Sequence, residues 1–137
     1  MKMVACTSGD EVELALLNRM LIEDENADNT MTLPELERRM AGLLRDGYAA
    51  VFFEKDGRRV GYALVNMAAT PLYLRQFFIC REFRKMGYGR AAFYALLELL
   101  QVAEIDIDVY TWNKGGVAFW KSLGFAERYC NMRFKNL

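Results

Sequence analysis

Residues 81–93, REFRKMGYGRAAF, set how the rest of the chain is read. A strand-like apolar run, LYLRQFFIC at 72–80, stops just before them. Arg81, Arg84, Lys85 and Arg90 then surround Gly87 and Gly89, and an apolar pattern at helical spacing follows at once. Glycine lets a backbone come close to an anion, and the N–H groups that open a helix point at it. The same pair also makes a tight strand-to-helix turn with no ligand. The two readings separate at Gly89. In an anion cradle, Gly89→Val abolishes binding and leaves the fold intact; in a bare turn it lowers stability first.

Two nucleotide motifs fit poorly. A Walker loop needs Gly-Lys followed by Ser or Thr, and the chain has none after its glycines. GYGRAA at 87–92 does fit Gly-x-Gly-x-x-Ala, with Asp106 or Asp108 about 20 residues on. In that dinucleotide fingerprint, however, the first glycine follows its strand almost directly, whereas CREFRKM intervenes here. Both aspartates also alternate inside a strand pattern instead of standing at its end.

Residues 1–6 read as a short edge strand. SGDE at 8–11 offers Ser8 as N-cap with Glu11 as capping-box partner. Leu14, Leu17 and Leu21, with Leu16 and Met20, predict a helix over about 9–22. EDENADN at 23–29 reads as a polar loop. Thr32 and Glu35 form a second capping box, and Leu36, Met40, Leu43 and Leu44 carry a helix to Gly47. Residues 48–67 read as a hairpin about Asp56-Gly57. A strand at 72–80, a helix at 88–101 and a strand at 105–110 form a right-handed parallel crossover. GGVAFWKSL, closed by Gly124, is a short helix, and FAERYCNMRF at 125–134 reads as the last strand. The order (β)ααβββαβαβ predicts an α/β fold: one mixed sheet flanked by helices, in a single domain spanning 1–137.

The composition narrows function. With 53% hydrophobic residues, 137 residues suffice for one real core. Lys plus Arg and Asp plus Glu number 18 each, and zero net charge argues against a general nucleic-acid partner. No apolar run reaches the roughly 18 residues of a membrane helix. The opening MKMVACTSGDE has too short an apolar stretch for a signal peptide, so the expectation is a soluble cytoplasmic protein. Cys6, Cys80 and Cys130 are odd in number and far apart, as reduced thiols are. The absence of histidine excludes Ser-His and Cys-His triads and the usual zinc sites, and no metal is expected. Proton transfer falls to Asp, Glu, Tyr, Lys, Cys, a terminal amine or water.

ICREFRKMGYGRA at 79–91 resembles the acetyl-CoA loop of the GNAT N-acetyltransferases, Arg/Gln-x-x-Gly-x-Gly/Ala, here Arg84-Lys85-Met86-Gly87-Tyr88-Gly89. NKGGVAFWKSLGF at 113–125 resembles that family's Asn-x-x-Ala-x-x-Phe-Tyr-x-x-x-Gly-Phe: Asn113, Phe119, Gly124 and Phe125 match. Gly116 stands in the place of the Ala and Trp120 in that of the Tyr; CRE replaces the common x-Pro-Glu. The order of elements also resembles the family's over the whole chain.

The resemblance implies acetyl-CoA as cosubstrate. Backbone amides from Lys85 to Arg90 would hold its pyrophosphate, with charge from Arg84 and Lys85. Its pantetheine arm would run along Phe78 to Arg81, where the strand splays from 105–110. Asn113 would lie beside that arm, and Trp120 is carried over as a cofactor-contacting position. An amine would attack the thioester, with an N–H at or near Ile79 supporting the oxyanion. Many members place a Glu base on the strand before the loop, but this chain has Arg75 and Gln76 there. Glu23, Asp24 and Glu25 are the replacement candidates, beside the alternative of a solvated acidic loop. Arg75, odd in an apolar strand, either pairs with Glu23 or Asp24 or holds a carboxylate of the acceptor, with Gln76 next to it. An indole does not give up its proton, so Trp120 cannot replace the Tyr as an acid. Tyr110 is a candidate substitute, and packing in the core is the alternative role of Trp120. The implied function is acetyl transfer to a primary amine of a small molecule. A protein lysine or N-terminal amine, or a non-catalytic CoA sensor, are the alternatives, and a homodimer is left open.

Overall fold

The computed structural model describes residues 1–137. Five strands form one sheet in the order β1-β2-β3-β4-β5: β1 (Lys2–Ala5), β2 (Tyr48–Lys55), β3 (Arg58–Asn66), β4 (Leu72–Ile79) and β5 (Ile105–Ile107). Every neighbouring pair is antiparallel except β4 and β5, which are parallel. The helices are α1 (Glu11–Glu25), α2 (Leu33–Arg45), α3 (Tyr88–Leu100) and α4 (Lys114–Ser122), with a single 3-10 turn at Arg81–Phe83. No helix is long and apolar enough to cross a membrane.

Both faces of the sheet are covered, which is why its central strands read as nearly continuous apolar runs. On one face Ala50, Phe52, Tyr62, Leu64 and Phe78 pack with Leu14 of α1 and Met40 of α2. On the other, Val51, Phe53, Ala63, Val65 and Leu74 pack with Ala92, Phe93 and Leu96 of α3. The hairpin turns at Asp56 and Gly57, both at positive φ, as a tight turn between right-twisted strands requires. The Thr32–Glu35 capping box forms in both directions, at 2.9 and 3.3 Å.

One irregularity positions the site. Leu64 pairs with Gln76, but the next residue, Val65, pairs with Leu74, so Arg75 is a β-bulge in β4. The pairing of β4 with β5 covers only Leu72 to Leu74. Beyond the bulge, β4 keeps β3 on one side and has no strand on the other.

Four expectations need correction. The N-cap of α1 is Asp10, not Ser8, and Glu11 accepts from the Gly9 N–H at 2.8 Å instead of closing a capping box. The helix continues to Glu25, so Glu23, Asp24 and Glu25 form its last turn and not a loop. Leu16 and Met20 stay exposed while Asn18 is buried, because the buried stripe runs through Leu14, Ala15 and Asn18. The strand expected at 125–134 does not form. Period two specifies which side chains share a face but supplies no partner, and β5, the nearest edge, is only three residues long. Tyr129, Met132 and Phe134 are consequently exposed.

Candidate active site

Cys80 donates its N–H to Val60 of β3 at 2.8 Å. Backbone groups alternate sides along a strand, so the N–H and C=O groups of Ile79 and Phe77 point away from β3. The Ile79 carbonyl confirms this direction by accepting from Arg84 Nε at 2.8 Å. The open half of β4 therefore presents a row of backbone groups to the space between it and α4.

The loop beyond feeds this space. Lys85 has φ 62° and Gly87 φ 79°, and Gly87 is the N-cap of α3 with no side-chain cap. The first helical bond runs from Ala91 N–H to Gly87, so the N–H groups of Tyr88, Gly89 and Arg90 have no partner in the chain. Left-handed residues alternating with others turn successive N–H groups toward one point, and the positive end of α3 adds to the field. Gly87 has open space where a Cβ would sit. Gly89 does not: a Cβ there would press on the Phe119 ring at 3.1 Å. Gly89→Val therefore disturbs the packing of α3 on α4 and does not isolate ligand contact; the expectation attached to that substitution is withdrawn.

Strand edge and loop line an open cleft of about 1350 Å3. A smaller cavity of about 310 Å3 lies against the bulge. Leu21, Glu25, Phe77 and Trp120 belong to the walls of both. Trp120 packs edge-on against Phe77, Phe93 and Phe125, with centroids 5.2 to 5.8 Å apart, so it is a structural wall as well as a lining residue.

The three acidic candidates separate. Glu23 is exposed and lies 3.7 Å from Arg81 and 3.9 Å from Arg19. Burial alone would raise the Asp24 carboxyl, but hydrogen bonds from Arg81 and Arg84 outweigh it and hold it below its ordinary value. A carboxylate clamped by two guanidiniums is a poor base. Glu25 has no cationic partner. Burial, and then the charge of Asp24, raise its carboxyl above the ordinary value. Its place in the last turn of α1, where the helix end is negative, acts in the same direction. Its backbone carbonyl accepts from Trp112 Nε1 at 2.9 Å, which ties the helix end to the segment after β5.

Phe78, Ile79, Arg84, Lys85, Gly87, Tyr88, Gly89, Arg90 and Asn113 all line the large cleft. Arg81 and Met86 do not: Arg81 turns back to Asp24, and the Met86 side chain is exposed. Asn113 caps α4, accepting from Gly116 N–H at 3.0 Å; a Cβ at residue 116 would collide with that side chain, which accounts for glycine at this position. Tyr110 lines neither cavity, and its ring stacks on Trp112 at 4.5 Å. Arg75 pairs with neither Glu23 nor Asp24. The bulge leaves it exposed, with Tyr48 Oη at 3.3 Å. Gln76 is buried and accepts from Tyr62 Oη at 2.7 Å. Sequence reasoning missed Trp112, which no motif marks, and Arg39, which reads as an ordinary polar residue of an amphipathic helix.

A sequence profile described as the acetyltransferase (GNAT) family matches residues 15–125. No curated protein sequence matches the chain. Among solved structures, a mutant of the BH1408 protein from Bacillus halodurans superimposes with TM-score 0.79 at 22% identity, covering 100% of both chains. The aminoglycoside N-acetyltransferase AAC(6')-Iy in complex with CoA gives 0.74 at 15% identity, over 98% of this chain and 93% of that one. Ribosomal-protein-alanine N-acetyltransferase from Brucella melitensis biovar Abortus 2308 gives 0.72 at 14%, over 98% and 99%. The fold is common to all of them, and the profile spans most of the chain, glycine turn included. The chain belongs to the acetyltransferase (GNAT) family.

Proposed function

We propose that the protein transfers an acetyl group from acetyl-CoA to the primary amine of a small molecule. The observation that carries this reading is the shared wall: Glu25, a carboxylate with a raised affinity for protons, stands where the anion-cradling cleft meets a second, smaller cavity. The large cleft fits the cosubstrate on two counts. The N–H groups of Tyr88, Gly89 and Arg90 are unused and converge as a pyrophosphate needs, and the open edge at Phe77 and Ile79 offers backbone donors and acceptors to an extended amide-bearing arm.

Acetyl-CoA, when bound, supplies an acyl carbon activated by its thioester. Phe77 and Ile79 offer N–H groups to the charge that develops on the acyl oxygen. Glu25 takes a proton from the amine as its nitrogen bonds the acyl carbon and the C–S bond breaks, the electron pair leaving with sulfur. A thiol of ordinary pKa, about 8.5, leaves tolerably as the thiolate, so no acid at position 120 is needed. Trp120 walls the junction.

Calorimetry and free-thiol release test this together. CoA should bind and bind more weakly as salt rises. Glu25→Gln should lower turnover on responsive amines by about a hundredfold or more while the CoA Kd stays within about twofold. No CoA binding at high micromolar concentration contradicts the reading. Binding without thiol release on any amine marks a CoA sensor instead.

A further inference from the structure

Part of the polar lining of the smaller cavity has donors that the protein leaves unused. Gln76 is only 7% exposed and lines it. Its Oε1 is taken by Tyr62 Oη, and its amide nitrogen donates to nothing in the chain. Beside it, the bulge presents Arg75 to the same cavity, and no carboxylate pairs with that guanidinium. Behind this wall, Arg39 bonds Asn18 Oδ1 at 2.8 Å through Nη2, while its Nε is buried without a partner. Burial, and then the charge of Arg75, make Arg39 easier to deprotonate, so two uncompensated cations lie close together. The cavity also holds two carboxylates. Glu25 stands at the junction with the large cleft, and Asp108 accepts from Tyr73 Oη at 2.8 Å.

We propose that the acceptor is an amino acid, its carboxylate held by the Arg75 guanidinium and the Gln76 amide and its amine directed to Glu25. This rests on the acetyl-transfer reading above and names the substrate class of the same site. A guanidinium and an amide N–H supply the donors that a carboxylate accepts. Arg39 adds positive potential behind them. The Gln76 amide N–H has no acceptor in the protein, and a carboxylate supplies one. An N-terminal peptide amine lacks the carboxylate that this wall is built to meet.

The test uses the full chain with acetyl-CoA and a panel of L-amino acids, their C-terminal amides, and monoamines without an acid group, read by thiol release. Acids should be acetylated at least tenfold more efficiently than the matching amides. Arg75 is exposed, so Arg75→Gln should melt like wild type. It should raise KM for the acids by roughly tenfold or more with a smaller change in kcat, and Arg75→Lys should restore part of the loss. Turnover of monoamines or amides as efficiently as acids would overturn the amino-acid assignment and leave acetyl transfer standing. An Arg75→Gln protein with unchanged KM for acids would overturn the seat itself. Failure of acetyl-CoA to bind would instead remove the reading on which both rest.

Discussion

The two halves of β4 share a strand and differ in what borders them. Leu72 to Leu74 pair with β5 on one side, and Leu74 is buried against α3. Phe77 to Ile79 keep only β3, so half of their backbone groups face the cleft. Arg75, one residue looped out, separates the halves. On the proposed reading, cosubstrate binding here needs no special side chain on the strand. It needs a strand held firmly at one end and deprived of a neighbour at the other, with the glycine turn placed to receive what runs along the vacant edge.

A substitution in the closed half and one opposite the open half should break this contrast in different ways. Leu74→Ala in the closed half should cost about 3 kcal/mol of stability in a denaturant melt, with unchanged CoA affinity in the fraction that remains folded. Gly61 lies opposite Ile79, and a Cβ there runs into the Phe78 carbonyl. Gly61→Ala should cost roughly 2 kcal/mol and, by shifting the open half, also weaken CoA binding in a titration of the folded protein.

Acidity sharpens the comparison next. With Glu25 as base, kcat/KM should fall about tenfold per pH unit below its pKa, and that pKa should lie above the ordinary carboxylate value. The signs for stability differ within one helical turn. Glu25, raised in the folded state, lowers stability as pH rises through its folded pKa, so Glu25→Gln should be neutral or stabilising at neutral pH. Asp24, lowered, contributes stability above its unfolded value that is lost as pH falls through its folded pKa. Trp112→Phe, which removes one hydrogen bond to the Glu25 carbonyl, should cost about 1 kcal/mol in the same melt and reduce turnover by a smaller factor than Glu25→Gln.

The fold was legible because its signals are local and redundant. Asp56-Gly57, the Thr32–Glu35 box and the glycine turn each specify a backbone shape without tertiary help. The bulge was not legible. Arg75 in an apolar run reads as a charge wanting either an internal carboxylate or one on the acceptor, and no pattern shows the register shift against β3 that places it outside. The base was narrowed to three adjacent carboxylates and no further. Their difference comes from Arg81 and Arg84, 57 and 60 residues away from Asp24, which no periodicity encodes. The tail failed for the opposite reason: the alternation at 125–134 is real, but a strand needs an edge to join.

Amide hydrogen exchange with and without acetyl-CoA tests the division of β4 most directly. In the free protein the N–H groups of Phe77, Ile79, Tyr88, Gly89 and Arg90 should exchange fast, while the N–H groups of Phe78 and Cys80, which face β3, exchange slowly. Acetyl-CoA should slow the first set markedly and leave the second little changed. Protection that rises equally across β4, or that leaves residues 77, 79 and 88–90 as fast as before, would contradict the assignment of the open half and the glycine turn as the cosubstrate site.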